Sequence, residues 1–135
     1  MKKIVLLLAI LLLTGCLGET GKGYIIKTCS KDELVNGLNV NTSVTVKSKS
    51  GDIESLKIVE TYDKEFDLSS ITKSKKSEQN YYIKENGITL DINDNVFVYS
   101  VDVQEVSNVI KERLNIKDEQ HKQVEFYESL GYVCK

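Results

Sequence analysis

Two stretches of the chain alternate between apolar and polar residues, and they constrain its fold more than any other feature. Residues 40–46 form the first stretch and residues 56–62 the second, with Ser50-Gly51 between them. A period of two on both sides of a short turn predicts a β-hairpin. Lys47 and Lys49 follow the polar positions of the first arm, so we expect one face of the sheet to be buried and the other to be wet.

A second hairpin is predicted downstream. Apolar residues alternate again over residues 88–92, Asp94-Asn95 offers a turn, and residues 96–101 form the second arm. That arm is apolar on both faces up to Tyr99, which indicates a central strand with helices on one side. A short opening strand is expected over residues 24–28, with Cys29 at its end.

Residues 74–85 carry conflicting signals. Ser74 could cap a helix that ends at Asn86-Gly87, where glycine suits a left-handed position. Tyr81, Tyr82 and Ile83 favour a strand instead. We favour the helix here, with the strand as the alternative.

Two further helices are expected towards the C-terminus. Residues 103–114 predict a short helix with Val106, Val109, Ile110 and Leu114 on one face. Asp118 is expected to cap a helix over residues 119–130, which Gly131 ends. Its apolar stripe consists of Val124, Phe126, Tyr127 and Leu130.

These elements together predict an α+β fold. We expect an antiparallel β-sheet of two hairpins plus a short N-terminal strand, packed against two or three helices that include an amphipathic C-terminal helix. Residues 24–135 would form this single domain, since the chain is too short for two cores.

The N-terminus has the organisation of an export signal. Lys2 and Lys3 are followed by ten consecutive apolar residues, 4–13. At a rise of 1.5 Å per residue, such a helix covers about 15 Å, roughly half of the hydrocarbon layer that a spanning helix must cross. We therefore expect residues 1–15 to be a signal peptide and not a transmembrane anchor.

The end of that segment, Leu13-Thr14-Gly15-Cys16, resembles a bacterial lipobox. The resemblance implies cleavage between Gly15 and Cys16 and a diacylglyceryl group on the Cys16 sulfur; the alternative is a plain secretory signal. Residues 16–23 would then be the lipidated cysteine and a flexible tether, since Gly18, Gly21 and Gly23 fall within it. Apart from this covalent lipid we expect no cofactor.

The three cysteines lie at positions 16, 29 and 134. If Cys16 carries lipid, two remain, and in an exported protein such a pair predicts one disulfide, Cys29 to Cys134. Two unrelated buried thiols are the alternative. A redox-active pair is disfavoured because the spacing is not CxxC.

Charge narrows the range of partners. The formal net charge of −2 includes Lys2 and Lys3, so the chain from Cys16 onwards carries −4. This balance argues against a nucleic-acid ligand, which needs a basic face. It also argues against added electrostatic attraction to anionic lipid headgroups, which leaves the acyl chains to hold the protein.

The order of lipobox, glycine tether, hairpin, helical segment, second hairpin and C-terminal helix resembles the YehR-like bacterial lipoproteins. The residues that carry the likeness best are the last nine, 127–135, with the sequence YESLGYVCK. The resemblance covers most of the chain after Cys16 and implies an α+β fold with an antiparallel sheet and packed helices. It implies no biochemical activity, since the family has none assigned.

Candidate chemical groups are few. His121 is the only histidine and has no evident zinc partners, so we expect neither a catalytic nor a metal role for it. Residues 91–95 resemble a calcium loop but lack its glycine and its glutamate, and a hairpin turn is the better interpretation. Lys73, Lys75 and Lys76 form a basic cluster, interpreted as a solvated face, with contact to an anionic wall polymer or headgroup as the alternative.

The sequence therefore predicts a lipid-anchored protein on the extracytoplasmic face of a bacterial cell membrane. We expect a non-enzymatic domain that binds or contacts another envelope component, either a protein or a wall polymer. A small-ligand carrier with a cavity between sheet and helices is the alternative.

Overall fold

The structure is a computed structural model, and it describes residues 23–82 and 86–135. The predicted signal peptide, the cleavage site at Gly15 and Cys16, and the tether up to residue 22 lie outside the described residues. The strands are β1 (Tyr24–Val35), β2 (Leu38–Lys49), β3 (Asp52–Tyr62), β4 (Ile88–Asn93), β5 (Val96–Asp102) and β6 (Val133–Cys134). The helices are α1 (Ser69–Tyr82), α2 (Asn108–Arg113) and α3 (Gln120–Ser129).

The six strands form one antiparallel sheet in the order β4-β5-β3-β2-β1-β6. Both predicted hairpins are confirmed: β2 turns into β3 at Ser50-Gly51, and β4 turns into β5 at Asp94-Asn95. As expected, β5 has a neighbour on each side, with β4 along one edge and β3 along the other. The α+β prediction is therefore confirmed.

The opening strand is much longer than predicted. β1 continues to Val35 and turns into β2 through Asn36-Gly37, whose φ angles are 52° and 81°. Two positive φ values are what a two-residue hairpin turn requires, and Asn-Gly supplies them at the lowest steric cost. The expectation of a short strand over residues 24–28 was wrong because the later half of β1 is charged and shows no apolar alternation.

One face of the sheet is covered and the other is open. Side chains of the buried face alternate along β2, as at Val44, Val46 and Ser48, while Lys47 and Lys49 point to the opposite face. All three helices pack on the buried face. The core there consists of Cys29, Val44, Val46, Ile53, Leu56, Ile88, Val101, Val103, Val106, Ile110 and Tyr127.

Residues 74–82 are helical, in agreement with the favoured interpretation, and residues 83–85 of the predicted helix lie outside the described part of the chain. The helix α1 begins at Ser69 rather than at Ser74. A carboxylate oxygen of Asp67 accepts a hydrogen bond from the Ser69 backbone N–H at 3.0 Å. This contact satisfies a free donor at the start of the helix, so the beginning of α1 lies five residues earlier than predicted.

The second helix, α2, is shorter than predicted. Ser107 caps it by accepting a hydrogen bond from the backbone N–H of Ile110 at 3.3 Å. Of the expected apolar face, Val106 and Ile110 are buried, but 64% of Val109 is exposed. The turn that precedes α2 breaks the assumed periodicity, and this places Val109 on the outer side.

The C-terminal helix α3 is present but is held differently from the prediction. Its first capping residue is Glu119, not Asp118, and no side chain caps it. Gly131 follows the helix with a φ of 91°, as expected for a left-handed terminal position. Tyr127 is buried as predicted, whereas 47% of Leu130 is exposed.

Two glutamines, Gln120 and Gln123, fill the buried face of α3. The Gln123 carboxamide accepts from the Lys117 backbone N–H at 2.7 Å and donates to the Asn115 carbonyl at 3.3 Å. Gln120 donates to the Ile25 carbonyl at 3.1 Å. Because both amides are hydrogen-bonded, burying them carries little desolvation cost, and the face need not be apolar.

Candidate functional site

The two cysteines of the described domain, Cys29 and Cys134, face each other between the strands β1 and β6. Cys29 of β1 is in register with Cys134 of β6, and their sulfur atoms lie 1.98 Å apart, at disulfide-bond distance. The neighbouring residues Thr28 and Lys135 exchange two backbone hydrogen bonds of 3.0 and 2.9 Å. The C-terminus is thereby held against the first strand.

The helix α1 carries the main polar cluster of the described domain. The Nζ atom of Lys75 lies 3.0 Å from an Oε of Glu60 on β3 and donates a hydrogen bond of 2.6 Å to the Tyr99 hydroxyl on β5. The Tyr99 hydroxyl in turn donates to Glu78, one turn further along α1. We call Glu60, Lys75, Glu78 and Tyr99 the α1 anchor.

The α1 anchor corrects the interpretation of the basic cluster. Only 13% of the Lys75 side chain is exposed, whereas Lys73 and Lys76 are both exposed on the outer side of the helix. Lys75 is therefore not part of a solvated face. The sequence did carry a signal for its partner, since Glu60 occupies an inward position in the alternating stretch of β3, and a buried carboxylate needs a cation.

Electrostatics keep the anchor in its charged, hydrogen-bonded form. Burial alone would lower the pKa of Lys75, but the hydrogen bond to Tyr99 and the charge of Glu60 outweigh burial and raise that pKa above its ordinary value. Burial and the hydrogen bond to Glu78 raise the pKa of Tyr99. At neutral pH Lys75 is therefore charged and Tyr99 is protonated.

Polar contacts of this kind are the main attachment of α1. Among its described side chains none is fully buried, and Ile71 is the half-buried apolar one. Gln79 adds a hydrogen bond of 2.6 Å to the backbone carbonyl of Leu90 on β4. Over residues 69–80, Lys75 and Gln79 thus make the principal described side-chain contacts between α1 and the sheet.

We expect Lys75→Met to lower the free energy of unfolding by about 2 kcal/mol, because it leaves the Glu60 carboxylate half-buried without its cation. Urea denaturation would measure the loss. Lys76→Met removes the same charge from the exposed side of α1 and serves as the matched control. Equal losses in the two variants would contradict the role assigned to the anchor.

Two cavities adjoin the α1 anchor. The first, of about 450 Å³, lies between the β1–β2 turn and the start of α1, and its apolar wall includes Val35, Leu38 and Ile71. The second, of about 250 Å³, lies further along the sheet beneath the helices, and Ile58, Ile88 and Leu114 line it. We call them the distal groove and the inner cavity. Lys75 and Glu78 line both.

The distal groove opens at the end of the domain farthest from Tyr24. Three connections meet there: the β1–β2 turn, the loop over residues 63–68 and the β4–β5 turn. The backbone N–H of Tyr62 donates to the Asn95 carbonyl at 2.9 Å, and the backbone N–H of Asp63 donates to the Asn39 carbonyl at 3.2 Å. We call this region the distal end. Three of its apolar residues are conspicuously exposed: Leu34 at 72%, Val35 at 40% and Phe66 at 45%.

The distal end is also acidic. Lys31 pairs with Glu33 at 3.2 Å and Lys64 with Asp94 at 3.8 Å, which leaves an excess of carboxylates. The carboxylates are Asp32, Glu33, Asp63, Glu65, Asp67 and Asp94. This surface was not predicted from the sequence, although Asn36-Gly37 is the signal that could have placed Leu34 and Val35 at the end of a hairpin.

The other residues considered from sequence are not brought together. His121 is exposed on α3, with its Nδ1 atom 3.4 Å from Glu119. Asn95 is buried in the β4–β5 turn, where it donates to the Tyr62 carbonyl at 2.7 Å. Over residues 23–82 and 86–135, no group of three His, Cys, Asp or Glu side chains is placed to hold a metal ion.

The helices that the structure describes are all too short or too polar to cross a membrane. In comparisons with protein-family models, curated proteins and solved structures, no match to this chain was found. The fold thus defines the class of domain, an antiparallel sheet with helices on one face. Membership of the YehR-like lipoproteins stays a prediction from sequence.

Proposed function

We propose that this protein is a lipid-anchored, extracytoplasmic contact domain of the bacterial envelope. A lipid on Cys16 would hold it to the membrane, and its distal end would bind another envelope component. The observation that carries the proposal is the exposed apolar surface of Leu34, Val35 and Phe66 at the end opposite to the point where the chain enters the sheet. Exposed apolar patches commonly mark interaction sites.

The length of β1 supports this arrangement. Its twelve residues span roughly 36 Å at about 3.3 Å per residue. A tether attached before Tyr24 would therefore leave the distal end farthest from the bilayer, within reach of a second protein. This geometry favours a presenting role for the domain.

The charge of the distal end suggests the chemistry of the partner. Glu33 precedes Leu34, and Glu65 and Asp67 flank Phe66 in the chain. A basic surface with apolar groups would therefore be complementary to the distal end. Anionic wall polymers would be repelled. Of the two partners expected from sequence, we therefore propose an envelope protein.

We propose binding rather than catalysis, because the groups of the α1 anchor engage one another. Lys75 contacts Glu60, Glu78 and Tyr99, and these contacts hold the helix in place. No reaction is proposed for them. The anchor would instead keep the wall of the distal groove in position.

A photo-crosslinking residue placed at Leu34 or at Phe66 should form one defined adduct with a partner protein in intact cells. The same residue at Val109 is the matched control, since 64% of Val109 is exposed on α2, away from the distal end. Denaturing electrophoresis and peptide identification would reveal the adduct. Equal adducts at all three positions would contradict a specific distal surface.

The small-ligand carrier is the second candidate, and the inner cavity of about 250 Å³ favours it. Its apolar walls, together with Glu60 and Lys75, would suit a compact molecule with a polar group. The same cells can be used to distinguish the contact domain from the small-ligand carrier. A chain that forms no adduct at 34 or 66, but leaves the membrane with a bound small molecule in native mass spectrometry, would favour the carrier.

A further inference from the structure

A second exposed surface lies at the other end of the domain, where the chain enters the sheet. Ile25 and Ile26 are 51% and 56% exposed, although both are large apolar residues in a strand. Tyr24, which is half-buried, precedes them, and Lys27, which is exposed, follows. At these residues β1 forms the edge of the described sheet, because β6 pairs with it only at Cys29 and Ser30.

Pairing with β2 places two more lysines beside Tyr24 and Ile26 on the open face of the sheet, whereas Ile25 and Lys27 lie at the same corner on the helix-covered face. Lys49 is in register with Tyr24, and Lys47 with Ile26. The Nζ atoms of Lys47 and Lys49 lie 4.1 and 5.5 Å from the centre of the Tyr24 ring. Two carboxylates lie nearby: Asp52 is in register with Lys49 on β3, and Glu119 forms a β-bridge with Asp52. We call Tyr24, Ile25, Ile26, Lys27, Lys47 and Lys49 the entry corner.

We propose that the entry corner docks on the anionic headgroup surface of the membrane to which the chain is tethered. The inference rests on the proposed lipid at Cys16, because residues 16–23 would reach at most about 28 Å when fully extended. The tether ends at Tyr24, so this corner is the part of the domain that must stay closest to the bilayer. A half-buried tyrosine with neighbouring lysines and exposed apolar side chains is a composition that membrane interfaces favour.

The net charge of the protein does not oppose this docking. Electrostatic attraction at physiological ionic strength extends over a Debye length of about 8 Å. The acidic distal end lies about 36 Å away along β1, so its carboxylates are screened from the lipid. The expectation that the overall charge of −4 excludes headgroup attraction treated the charge as uniform, whereas the fold separates lysines from carboxylates along one strand pair.

Docking would also orient the domain. With the entry corner on the lipid, β1 and β2 lead away from the bilayer. Orientations that bring the acidic distal end within a Debye length of the anionic surface would be disfavoured by repulsion. The contact surface around Leu34 and Phe66 would then face outward, where a partner could reach it. Each lysine near an anionic surface contributes about a fivefold gain in binding.

Lysine footprinting of the lipidated protein tests the docking. The mature protein would be reconstituted in vesicles of phosphatidylcholine alone or with about one third phosphatidylglycerol, and treated with an acetylating reagent. We expect Lys47 and Lys49 to react about threefold or more slowly on the anionic vesicles. Lys73 and Lys76 on α1 are internal controls and should react equally on both. The protection should disappear at about 0.5 M salt.

A charge-reversal pair sharpens the measurement. Lys47→Glu with Lys49→Glu should abolish the lipid-dependent protection of Lys27, whereas Lys73→Glu with Lys76→Glu, which changes the net charge equally, should leave it intact. Equal lysine reactivity on the two vesicle types would overturn the docking. So would equal effects of the two variant pairs.

Failure of the docking proposal can be distinguished from failure of the proposed function. A protein without lipid on Cys16 would not remain on either vesicle and would refute the anchor. A lipidated protein whose entry corner reacts freely, but which still forms adducts through Leu34 and Phe66, would refute only the docking.

Discussion

Replacement of Cys16 by serine is expected to abolish fatty-acid labelling of the protein and to release it from the membrane fraction. A thiolate can be alkylated by a lipid donor, whereas a serine hydroxyl is a far weaker nucleophile at neutral pH. Each buried methylene contributes about 0.8 kcal/mol, so two or more acyl chains hold a protein firmly and none leaves it soluble. The effect should be all or none.

Metabolic labelling with a fatty acid, followed by fractionation of the cells, would measure both results. Gly18→Ser is a suitable control, because it alters the tether and leaves residues 13–16 unchanged. A Cys16→Ser protein that still incorporates label would rule out the proposed anchor. It would then leave the apolar segment, residues 4–13, as an ordinary export signal.

The second large effect concerns the cysteine pair of β1 and β6. Replacing Cys29 and Cys134 together by alanine should lower the free energy of unfolding by up to about 4–5 kcal/mol. The two residues are 105 positions apart in the sequence, so the bond would restrict a long loop of the unfolded chain. A loss of this size is a large fraction of the stability of a small domain.

Urea denaturation of the oxidised protein and of the alanine variant would measure the difference. Reduction of the unchanged protein should produce nearly the same loss, which separates the effect of the bond from that of the side chains. The folded protein should contain no free thiol at either position. Alkylation of both cysteines without a reductant would refute the bond.

The position of this pair refines the expected orientation of the domain. Cys29 lies near the middle of β1, five residues after Tyr24 and six before Val35. Lys135 pairs with Thr28, so the C-terminus is held part of the way along the strand and not at its entry. The distal end is therefore separated from both termini, which agrees with a contact surface placed there.

Most of the secondary structure could be predicted from local sequence patterns. The alternation in residues 40–46 and 56–62, with Ser50-Gly51 between them, was sufficient for the hairpin of β2 and β3, since the period of two and the turn are both local properties. The helix over Ser69–Tyr82 was less certain from sequence. Few of its residues are apolar, and the contact that places it, Lys75 with Glu60, joins two elements far apart in the chain.

The candidate surfaces were harder to anticipate. Leu34 and Phe66 have no distinguishing pattern in the sequence. The pairing of β1 with β2, and of β2 with β3, brings their segments to one end of the sheet. Lys47 and Lys49 were recognised as outward-facing, but their closeness to Tyr24 depends on strand register. Gln120 and Gln123 are polar, and they are buried because backbone carbonyls lie within reach of their amide groups.

Three predictions came from the sequence by itself: the lipidation site at Cys16, the pairing of Cys29 with Cys134, and the antiparallel α+β class. Each depends on a short motif, a residue count or a local period. Only the tertiary structure decided where charge and apolar surface accumulate. The register of β1 against β2 places lysines at the entry corner, and the loops that meet at the distal end place carboxylates there. Side chains distant in sequence acquire a common environment only when backbone hydrogen bonds align their strands, and composition alone does not encode that alignment.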